Sequence, residues 1–253
     1  IEFLRNVNLG NNAKLPGKVV VIGGGNVAID VARAAVRESA TSVTMLCLES
    51  EQEMPALPEE IAEAREEGIA IQNGWGPKRI VVENGKVVGV EFKKCVSVFE
   101  DGKFAPKYDE GETITVPADY VLLSIGQSIL WGDLLKGTTV ELGRGNTAVA
   151  DGFTYQTAQA DVFVGGDCCT GPKFAIDAIA AGKEAAISLH RFVQPGQTLT
   201  AGRDRRIYRA LDKENLVIES FDNARRQQPE HDKTKERSFR DTRLTFTEEQ
   251  LKK

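Results

Sequence analysis

The sequence predicts an α/β fold: a Rossmann-like parallel sheet with an inserted antiparallel β-meander. Residues 18–22 and 42–48 are β-branched or apolar without alternation, which is typical of parallel strands buried on both faces. Between them, residues 26–39 repeat apolar side chains at helical spacing. Residues 78–116 change to alternating apolar and polar positions, the pattern of antiparallel strands. A β-α-β unit followed by a meander accounts for all three observations.

The other elements follow from the local sequence. Pro58 and the acidic residues after it begin a helix that Gly68 ends, and residues 69–72 read as the third parallel strand. Asn84-Gly85 is a strong hairpin turn inside the meander. The apolar stripe of the helix at 26–39 contains Val27, Ala28, Val31, Ala32, Ala35 and Val36. The further elements that we predict are strands at 79–83, 87–93, 94–99, 119–125, 147–151 and 161–165, and a helix at 174–193.

Composition argues against several classes of function. The chain has 253 residues, of which 41% are hydrophobic and 27% charged, as in an ordinary soluble protein. A net charge of −5 argues against a nucleic-acid-binding surface, and no apolar run approaches the roughly 20 residues that span a membrane. The four cysteines form no C-x-x-C pair, so we expect no metal site and a reducing, cytoplasmic environment.

A glycine-rich turn follows the first buried strand and opens the helix. Gly23, Gly25 and Ala28 form the pattern G-x-G-x-x-A in the context that a dinucleotide-binding motif requires. Gly23 permits the tight turn, Gly25 leaves room for a pyrophosphate, and Ala28 lets the helix pack closely on the strand. The alternative is a glycine-rich turn that binds nothing. The predicted binding residues of the turn are Gly23, Gly24, Gly25, Asn26, Val27 and Ala28.

Glu49 stands at the end of the second strand, where the choice between the two nicotinamide cofactors is usually made. A carboxylate there accepts hydrogen bonds from the ribose hydroxyls and repels a 2′-phosphate. The sequence therefore favours NAD(H) over NADP(H). The alternative is that Glu49 simply faces solvent.

With these residues in view, the chain resembles the small (beta) subunit of NADPH-dependent glutamate synthase and its relatives, a group of FAD/NAD(P)-binding oxidoreductases. The resemblance covers most of residues 1–195. The matching segments are Glu2-Phe-Leu-Arg5, Val21-Ile-Gly-Gly-Gly-Asn-Val-Ala-Ile-Asp30, Glu53-Met-Pro-Ala56, Ser124-Ile-Gly-Gln127 and Gly165-Gly-Asp-Cys-Cys-Thr-Gly-Pro172. Together they are far more specific than the glycine motif alone.

The resemblance implies three parts of the chain. Residues 1–150 would be the nicotinamide-dinucleotide-binding domain, residues 151–195 the C-terminal piece of the FAD-binding domain, and residues 196–253 a charged C-terminal extension. The extension either lies along a partner surface or is disordered. The site residues that the resemblance implies outside the glycine turn are Ile125 and Gly126 in the first part, and Gly166, Asp167, Phe174 and Ala175 in the second.

In this resemblance the acid after Gly166 would bind the ribityl hydroxyls of FAD, and the helix near 174 would point its N-terminus at the flavin. The alternative for Gly166 and Asp167 is an ordinary strand-to-helix turn. The sequence departs from the family at three places. The upstream FAD glycine motif is absent, so we expect a piece of a longer protein with an incomplete FAD site. The cysteines of an iron–sulfur centre after residue 250 are also absent. Leu48-Glu49 replaces the Arg-Arg pair of NADPH-using relatives.

The function implied is that of an electron-input module. The nicotinamide would pass a hydride to FAD, and electrons would continue to iron–sulfur centres or to a partner such as a synthase subunit. Hydride transfer between stacked rings needs alignment more than acid–base groups, so we predict no catalytic side chain. The alternative is a non-catalytic nucleotide-binding or scaffold unit.

Overall fold

A computed structural model describes residues 1–11, 13–203, 211–212, 227–235 and 237–252. The chain divides into two compact units, which are Ile1–Gly126 with Asp222–Lys253, and Gln127–Phe221. Among the described residues, no helix combines the length and the apolar character that crossing a membrane requires.

The regular elements agree closely with the predicted order in the first 126 residues. The strands are β1 (Lys18–Ile22), β2 (Ser42–Cys47), β3 (Ala70–Asn73), β4 (Trp75–Glu83), β5 (Lys86–Glu100), β6 (Lys103–Pro117) and β7 (Tyr120–Leu123). The helices are α1 (Glu2–Asn8), α2 (Asn26–Arg37), α3 (Pro58–Glu66), α4 (Asp167–Thr170), α5 (Ala175–Phe192) and α6 (Glu248–Leu251).

The first unit contains the predicted parallel sheet, in the order β3-β2-β1-β7. Val19 and Val21 of β1 join a core with α2 and α3, whereas Val20 and Ile22 join a second core with Phe92 of the meander. Because both faces of β1 are covered, its residues need no polar alternation. The α/β fold is confirmed.

Helix α2 packs on the sheet through small side chains, since Ala28, Ala32 and Ala35 are fully buried. The predicted stripe is wrong at Val27, whose side chain is 49% exposed. Val27 shares its side of the helix with Ala34, seven residues on, which is buried. Its exposure therefore reflects its place in the first turn, where no neighbouring element covers it.

The inserted meander is a separate antiparallel sheet in the order β4-β5-β6. Asn84 and Gly85 both have positive φ, as a two-residue hairpin turn requires, so the predicted turn is confirmed. The division into strands at 87–93 and 94–99 is wrong, because both lie in β5. A bulge between Lys93 and Lys94 interrupts the two-residue alternation, which made one strand look like two.

The second unit has one long helix, α5, close to its predicted position, among short irregular segments. The predicted strands at 147–151 and 161–165 are wrong, since these segments form only isolated bridges, which are Leu142 with Ala148, Ala150 with Thr157 and Gln156 with Phe163. A strand is stabilised by a neighbour paired along its length, and these segments have only single paired residues instead.

Residues 197–203, which directly follow Gly196, are attached to α5 through Arg203. The side chain of Arg203 is 5% exposed, and its guanidinium donates to Ser188 Oγ at 2.6 Å and pairs with Glu184. It also lies 4.6 Å from the centre of the Phe153 ring. The beginning of the predicted charged extension is therefore packed on this unit up to residue 203.

The later extension was predicted to lie along a partner or to be disordered, and residues 204–210 and 213–226 lie outside the described part. The described residues 227–235 and 237–252 belong to the first unit. Arg237 donates to the Glu67 carbonyl at 3.4 Å, and Phe239 lies 5.6 Å from the Arg37 guanidinium.

An ionic cluster joins α2 to α3. Glu67, whose side chain is 10% exposed, accepts from Arg33 at 2.8 Å and from Arg37 at 2.5 Å. Arg33 also pairs with Glu63 at 2.6 Å and with Glu60 at 3.3 Å. The charges are largely removed from water, so each depends on its partners for compensation.

We predict that Glu67→Ala destabilises the protein strongly. Removing one partner of a buried ion pair costs about 3–5 kcal/mol, and since Glu60 and Glu63 still compensate Arg33, we expect about 3 kcal/mol. Urea unfolding monitored by circular dichroism measures the loss. The matched control is Glu51→Ala, which removes an exposed pair with Arg65, worth about 0–1 kcal/mol. Equal losses in the two variants would contradict the prediction.

Candidate functional site

The site is built at the edge of the parallel sheet where β1 ends. Gly23 follows the strand with φ of +141°, and its N–H donates to the Leu46 carbonyl at 2.9 Å. A methyl group at Gly23 would lie 2.3 Å from the carbonyl oxygen of Ser124, which is closer than any Cβ can approach. Glycine is therefore required here by both conformation and space.

Gly24 and Gly25 face different surroundings. A methyl group at Gly24 would lie 2.8 Å from the Glu49 carboxylate and 2.9 Å from Cys47 Cβ, so the loop is packed tightly against the end of β2. Gly25 has an ordinary φ of −89°, and a methyl group there would meet nothing within 4 Å. The open space thus lies in front of Gly25, on the side where α2 begins.

The N-terminus of α2 presents polar hydrogens to this space. Ala28 and Ile29 donate to the Gly25 carbonyl at 2.9 and 3.2 Å. Within the described chain, the N–H groups of Asn26 and Val27 have no acceptor. Unpaired N–H groups at the positive end of a helix dipole form a site for an anion, and phosphate groups fit it well.

Glu49 lies beside this anion site. Its main chain is fixed because its carbonyl accepts from Gly74 N at 3.0 Å, and its carboxylate approaches Gly24. The neighbouring Cys47 thiol is buried. That burial, reinforced by the negative charge of Glu49, raises the pKa of Cys47 to about 12, so the thiol stays protonated. Glu49 is half-buried, which differs from the alternative of a side chain that simply faces solvent.

A pocket of about 290 Å³ opens past Glu49. It lies between residues 50–57 after β2, which we call the strap, and the bulged part of β5. Its charged lining consists of Glu51, Glu53 and Lys94. The Lys94 ammonium lies 4.7 Å from the centre of the Trp75 ring. Sequence reasoning missed Lys94 because the bulge, which turns it toward the pocket, has no clear signature in the sequence.

The strap formed by residues 50–57 is fastened to the glycine turn. Ala56 N donates to the Gly24 carbonyl at 3.1 Å, and Leu57 N donates to Asn26 Oδ1 at 2.8 Å. Met54 anchors the strap in the core, where its side chain is 8% exposed. Sequence reasoning placed Asn26 in the site but missed the strap as its partner.

Ile125 and Gly126 follow β7, the strand next to β1, and therefore lie at the same edge of the sheet. Ile125 is 71% exposed, and Gly126 has φ of +99° with open space around it. The ends of β1, β2 and β7 thus gather the predicted residues of the first unit in one place. In open α/β sheets, ligands bind outside the carboxyl ends of the strands.

In the second unit, Gly166 and Asp167 start α4, and the four predicted residues there are neighbours. Gly166 has φ of +71° and lies against Ala178 of α5, while the exposed Asp167 side chain accepts from Lys173 N at 3.4 Å. Phe174 caps α5 with 65% of its surface exposed, and Ala175 is the first residue of that helix. An exposed carboxylate can accept hydrogen bonds from hydroxyl groups, and the N-terminus of a helix stabilises negative charge.

The side chains that could bind a metal ion are not clustered among the described residues. The described residues contain no group of three or more His, Cys, Asp or Glu side chains arranged to hold a metal ion. The four cysteines are free, and burial raises the pKa of the Cys169 thiol above its ordinary value.

Comparison with curated proteins gives relatives of similar sequence. The NADP(+)-dependent formate dehydrogenase subunit beta of Moorella thermoacetica is 35% identical over 206 residues, which cover 78% of this chain and 28% of that protein. The glutamate synthase [NADPH] small chain of Escherichia coli is 33% identical over 183 residues, covering 70% of this chain and 39% of that one. The chain therefore matches only about a third of the length of these relatives.

Solved structures show the same fold at lower identity. The thioredoxin reductase of T. acidophilum superposes with a TM-score of 0.59 at 24% identity, covering 74% of this chain and 55% of that chain. Mycobacterium tuberculosis FprA in complex with NADPH gives a TM-score of 0.55 at 16% identity, covering 72% and 54%. At these identities the likeness establishes the Rossmann-type fold alone.

The family model of the pyridine nucleotide-disulphide oxidoreductases matches residues 1–182, which include the glycine turn, the meander and the start of α5. With the relatives named above, this match confirms the resemblance seen in the sequence. The chain belongs to the pyridine nucleotide-disulphide oxidoreductase family.

Proposed function

We propose that this chain is the electron-input module of a flavin-dependent NAD(P)H oxidoreductase. The single observation that carries the proposal is the open space in front of Gly25. It is bounded by the unpaired N–H groups of α2 and by the carboxylate of Glu49. A pyrophosphate and an adjoining ribose match these two neighbours in charge and in hydrogen bonding.

Each predicted residue receives a role in this proposal. The main-chain N–H groups of Gly25, Asn26 and Val27 bind the pyrophosphate, and Glu49 accepts from the ribose hydroxyls. Gly23, Gly24 and Ala28 let the turn and the helix pack closely enough to present those groups. Ile125 and Gly126, exposed on the neighbouring strand end, face the nicotinamide half.

FAD is the second cofactor of the proposal, and the second unit fits part of it. Asp167 would bind the ribityl hydroxyls, while the N–H group of Ala175, at the start of the helix that Phe174 caps, would face the flavin ring. Gly166, which lies against Ala178, lets the main chain pass close to α5. When bound, FAD supplies the acceptor for the nicotinamide hydride. The chain's own contribution is alignment and exclusion of water.

The remainder of the FAD-binding domain would cover α5. This helix exposes a series of large apolar side chains, which a water-facing helix does not need. They are Phe174, Ile176, Ile179, Ile187, Leu189 and Phe192.

The proposal keeps the three parts that the resemblance implies. Residues 1–150 are assigned to the nicotinamide domain, residues 151–195 to the FAD domain and residues 196–253 to an extension. The names of the relatives, a beta subunit and a small chain, support a partner subunit as the next electron carrier. Iron–sulfur centres stay the alternative carrier of the proposal.

The two activities of the proposal are tested separately. Calorimetry with NADH tests the dinucleotide site on the chain itself. Oxidation of NADH with ferricyanide, in the chain and in a form extended by the missing FAD-domain residues, tests the flavin site. We expect binding in both forms and turnover in the extended one, where alignment is complete. Binding without turnover in the extended form would instead indicate a non-catalytic nucleotide-binding unit.

The preference for NADH is the finer part of the proposal. It rests on Glu49 and on the pocket beyond it, where Glu51 and Glu53 outnumber Lys94. A 2′-phosphate there would meet carboxylates rather than the guanidinium groups that bind it bidentately. The names of the relatives carry NADP or NADPH, so they do not support this preference.

We predict that the wild-type chain binds NADH more tightly than NADPH, and that Glu49→Arg shifts the ratio of the two dissociation constants toward NADPH. Replacing a repulsive carboxylate with a guanidinium changes the ratio by about tenfold or more, which corresponds to about 1.4 kcal/mol. Parallel calorimetric titrations measure it. The control is Glu51→Arg, because Glu51 lines the same pocket but pairs with Arg65. A clear NADPH preference of the wild type would overturn the assignment of Glu49.

We predict that Gly25→Ala weakens dinucleotide binding without loss of stability. The methyl group occupies the space in front of α2 and meets no protein atom within 4 Å, so we expect affinity for NADH to fall at least about tenfold with the unfolding midpoint unchanged.

Two variants control this experiment. Gly152→Ala also meets nothing within 4 Å but belongs to the other compact unit, and should change neither quantity. Gly23→Ala collides with the Ser124 carbonyl and should lower the unfolding midpoint as well as the affinity. Normal affinity in Gly25→Ala would place the pyrophosphate elsewhere.

A further inference from the structure

The side chain of Asn26 faces the strap rather than the open space of the site. Its Oδ1 atom accepts from Leu57 N at 2.8 Å, across 31 positions of sequence. Leu57 is the residue that caps α3, and its own N–H is the group that a capping box normally satisfies from the third helical residue. Here that third residue is Glu60, which is committed to Arg33 at 3.3 Å. Asn26 therefore supplies from α2 the acceptor that α3 lacks.

A second bond runs in parallel with the first. Ala56 N donates to the Gly24 carbonyl at 3.1 Å, so two successive residues of the strap are tied to the glycine turn. The other end of the strap lines the pocket past Glu49 through Ser50, Glu51 and Glu53. Ser50 Oγ donates to Glu53 Oε2 at 2.7 Å, which stiffens that end. One segment thus connects the anion site to the pocket.

We propose that Asn26 is a positioning residue for dinucleotide binding, which acts through Leu57 by holding the strap at the distance that lets the anion site and the pocket engage one ligand together. Its main-chain N–H meets the pyrophosphate, while its side chain is engaged by the strap. The inference rests on the proposed function, because it assumes a dinucleotide in this site. Loss of the side-chain acceptor frees Leu57 N and lets the strap move without disturbing the core anchor at Met54.

The experiment compares four forms of the full chain: wild type, Asn26→Ala, Asn26→Asp and Gln52→Ala. Amide hydrogen exchange at Leu57, without nucleotide, reports the strap directly. Calorimetry with NADH and with ADP-ribose reports binding. The Asn26→Asp variant keeps a side-chain oxygen as acceptor. Gln52 is an exposed amide residue of the strap whose side chain makes no hydrogen bond to the described residues.

We expect exchange at Leu57 to accelerate at least about fivefold in Asn26→Ala, as the loss of a hydrogen bond of ordinary strength implies, and to remain near the wild-type rate in Asn26→Asp and Gln52→Ala. Affinity for both nucleotides should fall about fivefold to tenfold in Asn26→Ala and stay unchanged in Gln52→Ala. A weaker affinity with unchanged exchange would mean that Asn26 contacts the nucleotide directly, and would overturn the proposal. So would faster exchange with unchanged affinity, since the strap would then not matter to binding.

Failure of the proposed function has a different signature. In that case the wild type binds neither nucleotide, although exchange at Leu57 still responds to Asn26→Ala. That result overturns the positioning role together with the dinucleotide site. In contrast, a wild type that binds, combined with an Asn26→Ala variant that binds equally well, overturns only the positioning role.

Discussion

The site depends on the close approach of two strand ends. β1 stops at Ile22, and the next residue lies so near the Ser124 carbonyl that only glycine fits. The end of β1 is held from both sides, because Gly23 N donates to Leu46 of β2 and Ser124 N donates to the Ile22 carbonyl at 2.8 Å. Because these hydrogen bonds hold the end of β1, the chain leaves the sheet at Gly23. The N-terminus of α2 therefore faces an open edge, which is where an anion can reach it.

The parts of the fold that local sequence determines were predicted well. β1 and β2 are apolar throughout because both faces of the sheet are covered, and the Asn84-Gly85 turn depends on two residues with positive φ. Elements that depend on distant partners were predicted less well. β5 was split because its bulge reverses the alternation, and residues 147–151 form no strand since a strand needs a neighbour along its length.

The same distinction applies to the site. The glycines of the turn could be predicted because the need for glycine arises from the backbone conformation and close packing near the turn itself. Glu49 could be predicted from its position directly after a strand. Lys94 reaches the pocket only through the bulge of β5, and the bond from Leu57 to Asn26 joins two helix starts that sequence spacing does not relate. Such pairings follow from how the helices pack, and a single sequence carries no local trace of them.

Such pairings between α2 and α3 occur at both ends of α3. The N–H of Leu57, which caps its start, donates to Asn26, and its end is held where Glu67 pairs with Arg33 and Arg37. Arg237 of the extension adds a bond at the Glu67 carbonyl. Two helices fixed to each other at both ends resist sliding, because each buried charge loses its compensation if they separate. Helix packing thus fixes where α3 begins, and the strap, which is bonded to the glycine turn at Ala56 and Leu57, connects that fixed point to the pocket past Glu49.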